Sequence, residues 1–241
     1  MGLLDPPQSI LSWLDASAAK ILAPQVRLAC WALIGAVLAT EIYRRLSPQR
    51  RLAELKLAFR NTEQRLNEVT DSLGEAWPLI KRMLRLSLER IWLVVPATLW
   101  TSIPILVLLL WVNANYGHRF PTPAETVTVE VDEPGYRGDW RLNASDGRGV
   151  AVVTGPTGDI VARFSPAAAI PRIEKWRSWN LLVGNPAGYL SAEAPIEGIE
   201  IGFPPRELLP IGPGWIRGWE FTFLLLLFCF AMTLKKIRKI E

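Results

Sequence analysis

The sequence predicts an α-helical membrane protein with three transmembrane helices and a cytoplasmic coiled-coil hairpin. To these it adds an extracytoplasmic all-β, sandwich-like domain. Three observations carry this reading. Half of the 241 residues are hydrophobic, and they are gathered into blocks. One block, Ile91 to Val112, contains no charged residue at all. Beyond residue 117 the pattern changes to short alternating runs punctuated by Gly and Pro.

Taken in order, residues 1–25 include "QSILSWLDASAAKIL", which places Ile10, Leu11, Leu14, Ala18 and Ile21 on one helical face. That suits an amphipathic helix lying in the membrane interface, ended by Pro24. Residues 26–43, "VRLACWALIGAVLATEIY", are long enough for a first span. Gly35 and Ala39, with Ala32, Ala36 and Thr40 beside them, give this span a small-residue surface for close helix contact. No basic stretch precedes it, so it does not read as a cleaved signal.

Residues 44–90 form the hairpin. Leu52, Leu55, Phe59, Thr62, Leu66, Val69, Leu73 and Ala76 follow a and d spacing, which predicts a coiled-coil seam. Gly74 and Pro78 are expected to break it, and Leu79, Met83, Leu86 and Arg90 resume it. Residues 91–113 form the second span. Trp92 and Trp111 are separated by about 28 Å of helical rise, close to the thickness of a bilayer core.

Residues 114–214 contain "ETVTVEV", "DWRLN", "GVAVVTGPTGDIVARF" and "EGIEIGF", four alternating runs. The "TGPTGD" inside the third is a hairpin signal, and Val127, Val129 and Val131 are core candidates. Residues 215–234 supply a third span, and 235–241 form a basic tail. Lys and Arg outnumber Asp and Glu in 44–90 and in the tail, whereas acidic residues lead in 114–214. The N-terminus and β domain are therefore expected outside, with the hairpin and C-terminus in the cytoplasm, in an arrangement fitting a bacterial inner membrane. The net charge of +4 then reflects topology and anionic lipid, and no specific nucleic-acid partner is implied.

The second span carries Pro96 and Pro104, expected kinks that free the carbonyls of Trp92 and Trp100. Thr98, Thr101 and Ser102 occupy one helical face beside them. They can satisfy carbonyls, line a wet concavity or bond to a neighbouring helix.

The passage "LRLSLERIWLVVPATLWTSIPILVLLLWVNANYG" and the stretch "GPGWIRGWEFTFLLLLFCFAMTLKKIRKI" together resemble the YidC/Oxa membrane-protein insertase superfamily. The resemblance is strongest to the archaeal YidC-like proteins and to the insertase subunit of the endoplasmic-reticulum membrane complex. It covers roughly residues 26–116 and 211–240, with a β domain inserted where the family has a short connection. The family likeness implies a polar groove between three spans, for which Thr98, Thr101, Ser102, Arg27 and Thr40 are the lining candidates. Arg27 is the only basic residue of the first span. Lying about 20 Å from Thr40 by helical rise, it can equally snorkel to the outer interface.

The resemblance implies an insertase or intramembrane chaperone without a cofactor. Its partners would be membrane lipids, hydrophobic client helices and a ribosome or targeting factor at the hairpin. The large insertion supports an alternative, a scaffold subunit of an envelope complex whose β domain binds a partner or glycan. On that domain Tyr136, Trp140, Trp176, Trp179 and Tyr189 are the candidate aromatic surface, with core packing as the competing fate. Enzymatic chemistry is not expected, because the single histidine, His118, has no nucleophile or metal-ligand cluster beside it.

Overall fold

The computed structural model describes residues 5–68, 73–142, 149–178 and 184–238. Four helices come first: α1 (Asp5–Ala18), α2 (Pro24–Leu46), α3 (Gln49–Glu68) and α4 (Leu73–Tyr116). Six strands follow: β1 (Thr128–Val131), β2 (Arg137–Leu142), β3 (Gly149–Thr154), β4 (Ile160–Phe164), β5 (Arg172–Glu174) and β6 (Gly198–Ile201). The described chain ends with α5 (Gly214–Arg217) and α6 (Trp219–Ile237).

Two helical segments, Pro24–Leu46 and Gly74–Tyr116, are long and apolar enough to cross a membrane. The third segment expected at 215–234 is laid out differently. Residues Trp215–Arg217 belong to α5, Gly218 is extended, and α6 then carries Glu220 in its first turn with Lys235 and Lys236 in its last.

The chain divides into two compact units, Met1–Ala29 with Val107–Phe223, and Cys30–Leu106 with Leu224–Glu241. The second unit is helical. In α2 the buried positions Trp31, Ala32, Gly35 and Ala36 recur at helical spacing, so the small-residue seam read from the sequence is a packing surface. Along α3, Leu52, Leu55 and Thr62 are buried with Phe59 and Leu66 half-buried, as the a/d spacing requires. Val69 lies outside the described residues.

Arg51 and Glu89 pair at 2.5 Å across 38 positions. They stand nearly equal distances along α3 and α4 from the connection between these helices, which is the register of two antiparallel arms. The break expected at Gly74 and Pro78 does not occur, since α4 runs through Pro78, Pro96 and Pro104 without interruption. At Pro78 the carbonyl left without a donor is that of Gly74, an exposed residue of the first turn, where water can serve it.

In the first unit the six strands form one antiparallel, curled sheet in the order β4-β3-β2-β1-β6-β5. The alternating runs fit a small sandwich or a barrel; a sandwich needs a second sheet, and the described strands form a single one. Curling lets a single sheet enclose its own core: Val129, Ala151, Val153, Ile173, Ile199, Ile201 and Phe203 are buried together, with Val127 and Val131 packed against them. The "TGPTGD" hairpin forms as read, with Gly155 and Asp159 closing the turn at 2.9 Å and Gly158 at φ +88°. Strand β5 escaped the sequence reading because it has three residues and no alternation of its own. Its Arg172 is held by both oxygens of Asp132 at 2.6 and 2.9 Å.

Candidate functional site

A largely buried polar group in the first unit forms where α1, the start of α2, the end of α4 and the segment before α5 meet. On α1, Gln8, Ser12 and Asp15 fall at i, i+4 and i+7 and so share a face. Gln8 is 7% exposed, and Arg27, near the start of α2, is 9% exposed. The Arg27 guanidinium pairs with one carboxylate oxygen of Asp15 and also donates to the Asp15 main-chain carbonyl at 3.1 Å. Tyr116, which ends α4, donates its hydroxyl to the other Asp15 oxygen at 2.6 Å. The Trp111 indole donates to the Ser12 hydroxyl at 2.8 Å.

A second arginine completes the group. Arg206 donates to the Asn115 carbonyl at 3.0 Å, and its guanidinium stands 5.9 Å from the Tyr116 ring centre while that of Arg27 stands 5.7 Å away. Two cations therefore flank one electron-rich ring. Gln25 adds a bond to the Leu208 carbonyl at 2.7 Å. Both Asp15 oxygens are engaged, and Arg27 Nε is a buried atom with no hydrogen-bond partner among the described residues. These bonds form a clamp that joins the helix ends to one another and, through Arg206, to the segment after β6.

The clamp explains α1. Its amphipathic pattern is present, but the polar stripe faces the protein while the apolar stripe is uncovered, with Ile10 61% and Trp13 68% exposed. That is the reverse of a helix on a water-soluble core and is what contact with lipid favours.

The expected groove residues are distributed otherwise. Arg27 belongs to the clamp, where Asp15 engages it. Thr40 donates to the Ala36 carbonyl at 2.6 Å. On α4, Thr98 bonds to the Val94 carbonyl at 3.0 Å, Thr101 to that of Ala97 at 2.7 Å, and Ser102 to that of Leu99 at 2.8 Å. Each hydroxyl thus serves its own helix, and none serves the Trp92 or Trp100 carbonyl that Pro96 or Pro104 leaves without a donor. Thr101 is half-buried in line with buried Ala97 and Leu108, whereas Thr98 is exposed.

The described aromatic candidates lie in different surroundings. Tyr136 and Trp140 pack on the sheet's core, and Trp140 meets Phe203 edge-on at 5.2 Å. The Trp140 ring lies over Gly149, where an added Cβ would stand 1.8 Å from Cζ2. Trp140 also lines a cavity of about 650 Å³ with Phe120, Pro121 and Leu142. Tyr189 accepts a bond from the Asn185 amide at 2.7 Å and lines a different cavity of about 300 Å³ with Gln8 and Asn113. Trp176 is exposed, and Trp179 lies outside the described residues.

His118 bridges to Pro205, and burial holds its imidazole below the ordinary range against the opposing pull of Glu220. Among the described residues no three His, Cys, Asp or Glu side chains converge as a metal-ligand set.

Asp15, Tyr116 and Arg206 are the residues that sequence reasoning missed. One signal was visible, the polar stripe Gln8, Ser12 and Asp15 on an otherwise apolar helix, because an interfacial helix has no need to align its polar residues so narrowly. No family model, no curated protein and no solved structure matches the chain.

Proposed function

We propose that the chain is a membrane-anchored scaffold that carries its β domain at the membrane surface, where the domain engages another protein of an envelope complex. The clamp of Asp15, Arg27 and Tyr116 carries this reading, because it ties the ends of two apolar helices to α1 and, through Arg206, to the strand-bearing segment. A flexibly tethered domain would not need a buried ion pair at its base. In this reading α6 is a third crossing with Glu220 and its two terminal lysines at the interfaces. The basic hairpin and tail lie in the cytoplasm of a bacterial cell, and the β domain lies outside.

The resemblance to the YidC/Oxa superfamily supports a second reading, an insertase whose α4 receives client helices. One observation favours it: the apolar stretch of α4 is largely uncovered, with Leu99, Trp100, Ile103 and Leu106 all exposed. Against it, the hydroxyls of Thr98, Thr101 and Ser102 are already used within the helix, which leaves less polarity to offer a passing chain.

A photo-crosslinking residue placed at Leu99 or at Trp176 in living cells separates the two. The scaffold predicts a discrete adduct from position 176 that persists after protein synthesis is stopped, and lipid adducts alone from position 99. Heterogeneous protein adducts from position 99 that vanish when synthesis stops would replace the scaffold with the insertase.

A further inference from the structure

The cavity of about 300 Å³ that Tyr189 lines holds polar groups that the clamp leaves unused. Gln8 on α1 is 7% exposed and lines the cavity, and its carboxamide makes no hydrogen bond among the described residues. A buried amide without a partner is costly unless something else serves it. Asn113, in the last turn of α4, lines the same cavity, and its side chain is likewise without a bond among the described residues. Glu174 on β5 gives one oxygen to Arg172 Nε at 3.3 Å and leaves the other open. Leu110, Ile170 and Tyr189 supply the apolar part of the wall.

These groups restrict the occupant. Arg172 is the one cation lining the cavity among the described residues, and Asp132 takes it with both oxygens while Glu174 holds its Nε. A phosphate or carboxylate would meet no free cation there and would face Glu174. A peptide strand finds no open backbone edge, because the Glu174 carbonyl accepts from the Leu190 amide at 3.1 Å and the Arg172 carbonyl from Asn185 Nδ2 at 2.9 Å. What remains is side-chain recognition of a small neutral ligand. Two carboxamides each donate and accept, and one carboxylate oxygen only accepts; hydroxyl groups, which do both, match all three. The volume lies at the small end for ligand sites, which suits a single ring.

We infer that this cavity binds a neutral hydroxylated unit, a sugar or polyol, through Gln8, Asn113 and Glu174. Its place in the chain shows where that unit is met. Leu110 belongs to the charge-free run Ile91–Val112, Asn113 directly follows that run, and Ile10, two residues from Gln8, is exposed. In a bilayer this level is the head-group layer. The same hydroxyls reach it on a glycolipid or as free sugar. The inference rests on the cavity and does not require the scaffold reading.

The test uses the full chain, extracted with a detergent that has no sugar head group from phosphatidylcholine vesicles. These hold equal amounts of monoglucosyl-diacylglycerol, diacylglycerol and phosphatidic acid with the same acyl chains, and the lipid retained by the purified chain is quantified by mass spectrometry. Free sugar is tested as methyl-β-glucoside, by saturation-transfer NMR on chain from vesicles without the glucosyl lipid. The expected result is retention of the glucosyl lipid about five-fold above either of the others. Gln8→Leu and Asn113→Ala should each lower that preference about five-fold, whereas Trp176→Ala, outside the cavity, should leave it unchanged. Without glucosyl lipid, Gln8→Leu should unfold at the parent's temperature or above, because it removes an unpartnered buried amide. Saturation transfer to methyl-β-glucoside that Gln8→Leu abolishes would add free sugar as an occupant, and its absence beside a retained glucosyl lipid would assign the lipid-borne sugar alone. Equal retention of the three lipids with no transfer to methyl-β-glucoside, a preference for phosphatidic acid, or an unchanged preference in both Gln8→Leu and Asn113→Ala would each overturn the inference.

Discussion

Helix α1 and the β sheet lie in the same compact unit and are built inside out relative to each other. The sheet buries Ile173, Ile199 and Ile201 completely and keeps its Arg172–Asp132 pair at the surface. In α1 the order is reversed: Asp15 and its pair with Arg27 are turned inward, and Ile10, Trp13 and Leu14 are turned out. The contrast is what one rule predicts for a region placed in water and a region placed against lipid. Water drives apolar area into the sheet's core. Lipid gives apolar side chains no such push, and there it is the polar groups that must find partners within the protein.

The sharpest way to break this comparison is to remove one partner of the inward pair. Asp15→Ala leaves Arg27 buried and uncompensated, a change expected to cost about 3–5 kcal/mol. It should appear as a large fall in the thermal unfolding temperature of the detergent-solubilised chain. Replacing both, with Asp15→Ala and Arg27→Met together, should recover much of that loss, because a well-packed apolar pair is tolerated where a lone charge is not. The corresponding surface variant, Asp132→Ala, should cost about 1 kcal/mol or less. Equal losses for Asp15→Ala and Asp132→Ala would remove the distinction between the two regions.

A second contrast sets the sheet against the hairpin, using one substitution in both. Gly149→Ala drives a methyl group into the Trp140 ring, which must shift, and overpacking of this kind costs about 1–3 kcal/mol. Gly74→Ala has nothing within 4 Å and replaces a helical glycine, so it should stabilise by up to about 1 kcal/mol. Denaturation of the two variants under one condition gives the signs directly.

Much of this organisation was legible in the sequence because it is local. The charge-free run Ile91–Val112, the heptad positions Leu52, Leu55, Phe59, Thr62 and Leu66, and the "TGPTGD" turn are each specified within a few residues of themselves. Val129 emerged as core for the same reason, since alternation along a strand needs no partner to be read. The clamp was not legible, because Asp15 meets a tyrosine 101 positions away and Ser12 a tryptophan 99 positions away. Arg27 showed only that it was a lone cation in an apolar helix, and its partner stood across the Pro24 corner. The single sheet was hidden similarly: four alternating runs fit a sandwich or one curled sheet, and the choice rests on the pairing of β1 with β6 and on β5, which has no pattern to read.

The lipid side of the comparison can be sharpened by a probe on α1. A nitroxide attached at Ile10→Cys, in the background without Cys30 and Cys229, should be relaxed by oxygen, which concentrates in lipid, in preference to a water-soluble nickel complex. The same label at Ile160→Cys, on the sheet, should show the opposite preference. A water-like response at position 10 would mean that the exposed face of α1 meets solvent or another protein.

The smallest expected effect concerns acid, on the water-facing side of the comparison. Between α4 and β1, Glu125 receives two bonds from Arg119, at 2.6 and 2.8 Å, and one from the Thr122 amide at 2.8 Å. Those bonds, the arginine's foremost, bring the Glu125 carboxyl down to about 2. A group whose folded-state value is depressed contributes stability that is complete above its ordinary range and is lost as pH falls toward the folded-state value. The loss should therefore run from about pH 4.5 down to about pH 2, with no dependence on Glu125 at neutral pH. Because the pair is solvent-exposed, added salt should shrink its contribution further. Comparing the acid limb of thermal stability for the parent chain and for Glu125→Gln isolates this residue from Glu197, which Arg177 and Lys175 depress in the same way. The variant should start slightly less stable at pH 6 and converge on the parent as pH falls to about 2. A constant offset across the whole range would show that Glu125 acts through neutral hydrogen bonds instead of charge. The exposed ion pairs of the sheet side would then contribute as little to pH dependence as the uncovered apolar face of α1.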